Sequence, residues 1–277
     1  MDQLQLQFFL KIIGLGSASG LIYQDNSILA IGDSSAYLYE YQLDNQQLQK
    51  HPLLYLAAEI ITKKQKPDFE AITQHQANIY VFGSGSTQNR NTMVHVDAKT
   101  KKVIATNDLT NLYATMQSFG EIKPDDFNIE GAIYNGQDWF LVNRGNGKKS
   151  KNAIFTISGN NLVDDFTMVV NDYKLPKIKN VETSFTDAIQ VDNKIYFLAT
   201  AEDTVSTYDD GEILGSIIGR IDVATMEIDF HKQVSNKHKL EGIALYNQTQ
   251  ESISFLICED NDTDLQESTI YKLTLTK

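Results

Sequence analysis

Short runs of β-branched and aromatic residues recur along the chain, each bounded by Asn, Asp, Gly or Ser. Ser27–Ile31, Asn78–Phe82, Asp138–Val142, Lys194–Leu198 and Ser252–Leu256 read as strands on that pattern. Upstream of each lies a shorter signature: a residue with a side-chain oxygen, a small residue, an apolar residue. The five copies are Ser19-Gly20-Leu21, Glu70-Ala71-Ile72, Glu130-Gly131-Ala132, Asp187-Ala188-Ile189 and Glu241-Gly242-Ile243, spaced 51, 60, 57 and 54 residues apart. A third apolar run follows in every unit: Tyr37–Leu43, Thr92–Asp97, Ala153–Ser158, Ile217–Asp222 and Thr269–Thr274. Self-similarity at this period marks a repeat architecture. Five units of three or four strands predict an all-β fold, a five-bladed β-propeller of four-stranded sheets around a channel. The fifth unit ends after its third run. The alternating segment Leu4–Ile13 is expected to close it, which removes an exposed sheet edge. The chain is thus read as one propeller domain over residues 1–277. Helical turns are expected only at Leu53–Thr62 and Thr110–Phe119, the second capped by Thr110 or Asn111.

In a propeller the first strand of each blade lines the channel, and small residues let five backbones converge there. Ser19, Glu70, Glu130, Asp187 and Glu241 are then expected to ring the axis. Four are carboxylates, and two charges ~4 Å apart repel by roughly 4 kcal/mol at an effective dielectric of 20. A divalent cation, raised pKa values or neighbouring Lys and Arg must offset that. Calcium suits the ring best, because it takes oxygen ligands in flexible geometry; zinc does not, since no His or Cys holds a ring position. The plainer alternative makes these residues hydrogen-bonded latches between blades.

Composition narrows the classes further. The 277 residues carry 36 acids and 24 bases, a formal net charge of −12. That argues against nucleic acid and against anionic membranes as partners. One cysteine, Cys258, leaves no internal disulfide and no CxxC site. The start of the chain, Met1-Asp2-Gln3-Leu4, has no basic n-region, and a cytoplasmic location and a monomer are expected.

The blade starts and the loop Tyr208–Gly215, with Lys66-Pro67-Asp68-Phe69-Glu70-Ala71, Gly83-Ser84-Gly85-Ser86 and Asn143-Arg144-Gly145-Asn146, resemble an uncharacterised bacterial family of five-bladed propellers of unknown function. The likeness spans nearly the whole chain and implies no activity. A more distant resemblance is to calcium-activated nucleotidases (apyrases), whose axial calcium is held by Ser, Glu, Glu, Ser and Glu, one per blade. Ser19, Glu70, Glu130 and Glu241 match that order, and Asp187 departs from it. Esterase-like phytases and the six-bladed gluconolactonase-like propellers share the Glu-Gly blade start and an axial metal.

Loops after the second strand of each blade are expected to overhang one mouth. They bring Asp33, Arg90, Arg144, Asp203 and Asp260 near the ring as candidate catalytic residues. Arg90 and Arg144 suit an anionic small molecule, because Arg holds phosphate and carboxylate bidentately. They equally suit ion pairs with acids of neighbouring blades. Asp33, Asp203 or Asp260 could take a proton. Two function classes follow: a metal-dependent hydrolase of phosphate-containing or other anionic small molecules, or a ligand-binding or scaffold propeller with a structural ring. Other motifs are weak. Gly14–Gly20 does not open a helix, Gly145–Ser150 lacks the leading glycine of a P-loop, and Asp260–Asp264 lacks the glycine and glutamate of an EF-hand loop.

Overall fold

The computed structural model describes residues 3–146, 151–163, 165–204, 211–260 and 265–276. Parts of three loops considered above, residues 147–150, 208–210 and 261–264, lie outside them. Among the described residues the strands form five four-stranded antiparallel sheets and one two-stranded ribbon. Blade I is Ala18–Gln24, Ser27–Gly32, Tyr37–Gln42 and Gln47–Pro52; blade II is Phe69–His75, Asn78–Gly83, Thr92–Asp97 and Val103–Asp108. Blade III is Ile129–Tyr134, Asp138–Asn143, Asn152–Asn161 and Asp165–Tyr173; blade IV is Ser184–Val191, Lys194–Asp203, Glu212–Asp222 and Glu227–Ser235. Blade V takes Lys239–Gln248, Ser252–Asp260 and Glu267–Thr276 from the end of the chain and Leu4–Ile13 from its start. Leu4 pairs with Leu275 and Ile13 with Glu267, so that the two terminal strands share one ladder. The five-bladed propeller expected from the repeat is the observed fold.

The first strands of the five blades touch one another in a closed cycle around the axis. Apolar side chains of adjacent blades meet between the sheets. Leu29, Ile31, Phe69 and Val81 join blades I and II, and Phe140, Val142, Phe185 and Phe197 join blades III and IV. These faces explain why the second strand of each blade reads as continuous apolar sequence: both of its surfaces are covered.

The helix Thr110–Phe119 (α1) forms over the expected span and buries Leu112, Tyr113 and Met116 against blades II and III. Leu109 takes the N-cap position, and the first turn is held from Asp108, two residues before Thr110. Asp108 accepts from the Thr110 amide at 2.8 Å and the Thr110 hydroxyl at 2.6 Å. The other expected helix is absent. Leu53–Thr62 runs as turns and bends, because its backbone is drawn to blade I instead: Leu53 N–H donates to Ala36, Ala36 N–H to Ala58, and Ile61 N–H to Ser34. No helix among the described residues is long and apolar enough to cross a membrane.

Candidate metal centre on the propeller axis

Each first strand breaks register with its neighbour at the same place. The shift falls between Ala18 and Gly20, Phe69 and Ala71, Ile129 and Gly131, Phe185 and Asp187, and Leu240 and Ile243. A bulge leaves its extra residue outside the ladder and re-aims the side chain. Ser19, Glu70, Glu130 and Glu241 all occupy this position. In blade IV the residue between the paired Phe185 and Asp187 is Thr186, not Asp187. Asp187 fills the slot that Gly20, Ala71, Gly131 and Gly242 fill elsewhere. The bulge residues therefore read Ser, Glu, Glu, Thr, Glu around the axis.

Asp187 is used differently. One carboxylate oxygen accepts from its neighbour's amide, Ala188 N–H, at 2.7 Å, and the other from Ile243 N–H of blade V at 2.9 Å. Thr186 also reaches blade V, donating its hydroxyl to the Leu240 carbonyl at 2.7 Å. The latch role thus falls to blade IV, while the carboxylates gather in the other blades. Close approach requires the small residues: a Cβ on Gly242 would lie 2.8 Å from the Gly20 Cα.

Oxygens of Glu70, Glu130 and Glu241 lie within 4.8 Å of one another, and so do those of Asp33, Asp68 and Glu70. Glu70 belongs to both groups. At that separation each pair of charges repels by roughly 3.5 kcal/mol at an effective dielectric of 20. Burial, then the neighbouring acids Glu130, Asp68, Asp33 and Glu241, push the Glu70 carboxyl well above its ordinary range. Burial raises Glu241 and Glu130 as well, although Lys239 and Arg144 pull them back toward the charged form. Among the described residues Glu70 makes no ion pair.

The basic residues at this mouth are committed to particular acids. Arg144 contacts Glu202 of blade IV at 2.6 Å, Glu130 at 3.2 Å and Glu241 at 4.0 Å. Arg90 donates to Asp68 and the Ser86 hydroxyl at 2.7 Å, and to the Lys63 carbonyl at 2.9 Å. Lys66 bridges Asp33 and Asp68, and Lys239 bridges Glu241 and Asp260. Asp68 sits in the left-handed region at φ 54, a conformation Asp tolerates better than most residues. Its carboxylate also accepts from Ser84 at 2.5 Å. α1 supports this loop: the Tyr113 hydroxyl donates to Gly83 at 2.8 Å, and Gly85, at φ +75, leaves room for the Tyr113 ring.

Of the five mouth residues singled out in the sequence, Asp33, Arg90, Arg144 and Asp260 fall within these ion-pair networks. Asp203 is exposed beside them, and the buried neighbour Glu202 takes the inward place. The sequence reading missed Thr186, Asp68, Lys66 and Lys239. For Thr186 a signal existed, since bulky Phe185 precedes it as Phe69 precedes Glu70 and Ile129 precedes Glu130.

The donor set fits a hard cation. It is made of oxygens only, three of them buried or half-buried carboxylates that compete for charge. The Ser19 hydroxyl, at the equivalent bulge of blade I, is buried and has no hydrogen-bond partner among the described residues. It is a neutral oxygen that a cation or a water molecule on the axis could engage.

The solved structures that this chain resembles are distant in sequence. The Malassezia sympodialis allergen Mala s 1 is 7% identical with a TM-score of 0.57, over 95% of both chains. A luciferin-regenerating enzyme is 7% identical with a TM-score of 0.52, over 98% of this chain and 95% of its own. Hydrazine synthase of Kuenenia stuttgartiensis is 11% identical with a TM-score of 0.44; 90% of this chain is covered, spanning only 57% of the hydrazine synthase chain. These likenesses concern the fold alone. No curated protein matches the chain. Residues 14–275 match one family throughout, and the chain belongs to it: the family of unknown function DUF6929.

Proposed function

We propose that the axial ring binds a divalent cation, calcium by its chemistry, and that this ion holds the five blades together at one mouth of the channel. The observation that carries the reading is Glu70: a carboxylate with no ion pair among the described residues, facing acids on two sides. Glu70, Glu130 and Glu241 would supply charged ligands, and Ser19 and Thr186 neutral oxygens. Calcium accepts such a mixed oxygen set and tolerates irregular geometry, whereas magnesium demands a tighter octahedron. The hydroxyl at the blade IV bulge also brings the order closer to that of the calcium-activated nucleotidases than Asp187 did. When bound, the ion would supply Lewis-acid character at the axis. Calorimetric titration with calcium tests the reading, with Glu70→Gln expected to lose the binding heat.

A second reading is a metal-dependent hydrolase of small anionic molecules. Asp33 favours it: its side chain is 29% exposed at the mouth and its carboxylate lies within the Glu70 group. The arginines do not add to it, because Arg90 and Arg144 already serve buried acids. Calcium-dependent turnover of nucleotides, phosphomonoesters or phytate, lost in Asp33→Asn with calcium binding retained, would support the enzyme. Calcium binding without turnover supports a scaffold.

A further inference from the structure

Blade IV has a hydroxyl, Thr186, where three other blades place a carboxylate, and the register shows a second departure. The residue before each bulge pairs in turn with Gly32, Gly83, Asn143, Ala199 and Glu259. One position further on stand Asp33, Ser84, Arg144, Thr200 and Asp260. Four of these belong to the ion-pair and hydrogen-bond networks of the mouth. Thr200 instead joins two other hydroxyls. Thr186, Thr200 and Ser216 come from the first, second and third strands of blade IV, and all three are fully buried.

The protons of these hydroxyls can be followed. A hydroxyl has one proton to give and lone pairs with which to accept. Ser216 gives its proton to the His238 carbonyl at 2.7 Å. Thr200, 2.7 Å from the Ser216 oxygen, is then the donor in that pair. Ser216 also accepts from the Leu240 N–H at 3.1 Å. Thr186 gives its proton to the Leu240 carbonyl at 2.7 Å, while Thr200 lies 3.4 Å from the same carbonyl.

Two consequences follow for the ring. Blade IV holds both backbone groups of Leu240, the residue that directly precedes Glu241. Asp187 grips the chain at Ile243 instead, so its hold reaches Glu241 only through Gly242. The Thr186 hydroxyl, with its proton committed to Leu240, has only lone pairs left to offer, which suits it to a cation.

We propose that Ser216 is a positioning residue of the axial cation site: through Leu240 it fixes the Glu241 ligand of blade V, with Thr200 and Thr186 completing the hold. The inference rests on the cation reading above and deepens it. Calorimetric titration of the intact chain and of Ser216→Ala with calcium tests it. Groups behind metal ligands typically contribute about 10–100-fold in metal affinity, so the variant should bind calcium at least tenfold more weakly. Ser216→Thr, which keeps the hydroxyl, should recover most of that affinity. Asp187→Ala weakens the fold without touching Leu240 and should leave calcium affinity little changed, which separates positioning from lost stability. Hydrogen exchange reads the same contact without calcium: the Leu240 amide should exchange slowly in the calcium-free chain and markedly faster in Ser216→Ala. Equal exchange in the two would overturn the proposal. No calcium heat from the unaltered chain would sink the cation reading and this inference with it. Equal calcium affinity of the unaltered chain and Ser216→Ala would overturn the positioning role alone. If Ser216→Ala does not melt cooperatively, Thr200→Val carries the test, because it removes only the donor to Ser216; unchanged calcium affinity there would likewise overturn the proposal.

Discussion

Arg144 lies 2.6 Å from Glu202 and 3.2 Å from Glu130, tying the first strand of blade III to the second strand of blade IV beneath the mouth of the channel. Both acids are buried, with side-chain exposures of 4%, and the guanidinium is equally enclosed. Removing one partner of a buried pair leaves a charge with nowhere to go, at a cost of about 3–5 kcal/mol. Arg144→Met is therefore expected to lower stability by that amount in urea unfolding. Arg144→Lys should recover part of it, because one ammonium cannot reach both acids as the planar fork does.

The raised carboxyls of Glu70 and Glu241 fix the sign of a pH dependence. Their ordinary value is 4.5, and in the fold they hold protons to higher pH than in the unfolded chain. More protons bound to the native state means that stability falls as pH rises, starting from about 4.5 and continuing through the folded values. Carboxyls with the opposite shift, such as Asp222 and Asp229, act below 3.8 and leave that window untouched. In chelator the melting temperature is expected to decline from pH 5 to pH 8. With calcium present the decline should flatten or reverse, since the ion takes the deprotonated form. Identical profiles with and without calcium would contradict the ring reading.

Asp187 separates latch from ligand. Its two oxygens satisfy the amides of Ala188 and Ile243. Asp187→Ala leaves both amides buried and unpaired, an expected loss of about 1–3 kcal/mol for each. Calcium affinity measured on the folded variant should change little, whereas Glu130→Gln should reduce it strongly.

Gly242→Ala tests the convergence of the blades. The added methyl would meet the Gly20 Cα and the Cys258 sulfur, each at 2.8 Å. Overpacking of this kind costs about 1–3 kcal/mol, and here backbone rather than a flexible side chain must move. Thermal unfolding should show the loss; an unchanged melting temperature would mean that the first strands are not packed as described.

Most of the architecture was legible in the sequence because each blade repeats one local rule. A bulge residue bearing oxygen, a small residue and an apolar run recur where five strands must converge. The register of blade IV is ambiguous in sequence, since Thr186 and Asp187 both carry a side-chain oxygen and only strand pairing shows which of them falls at the bulge. Leu53–Thr62 misled for a related reason. Its local run Leu-Leu-Tyr-Leu-Ala-Ala favours helix, but the backbone amides of blade I compete for it, and that competition is non-local. The partners of Arg90 and Arg144 were hidden in the same way, as Asp68 and Glu202 lie 22 and 58 residues distant. Strand pairing within blade II brings Arg90 to Asp68, and the packing of blade III against blade IV brings Arg144 to Glu202.

The most direct test of the central claim is crystallographic. A crystal grown with calcium and recorded at a wavelength where calcium scatters anomalously should show a peak on the axis among Glu70, Glu130 and Glu241. Oxygen ligands, including those of Ser19 and Thr186, are predicted at about 2.3–2.6 Å from it. A ring filled by water at hydrogen-bond distances of about 2.7–3.2 Å, with no anomalous peak at millimolar calcium, would contradict the account.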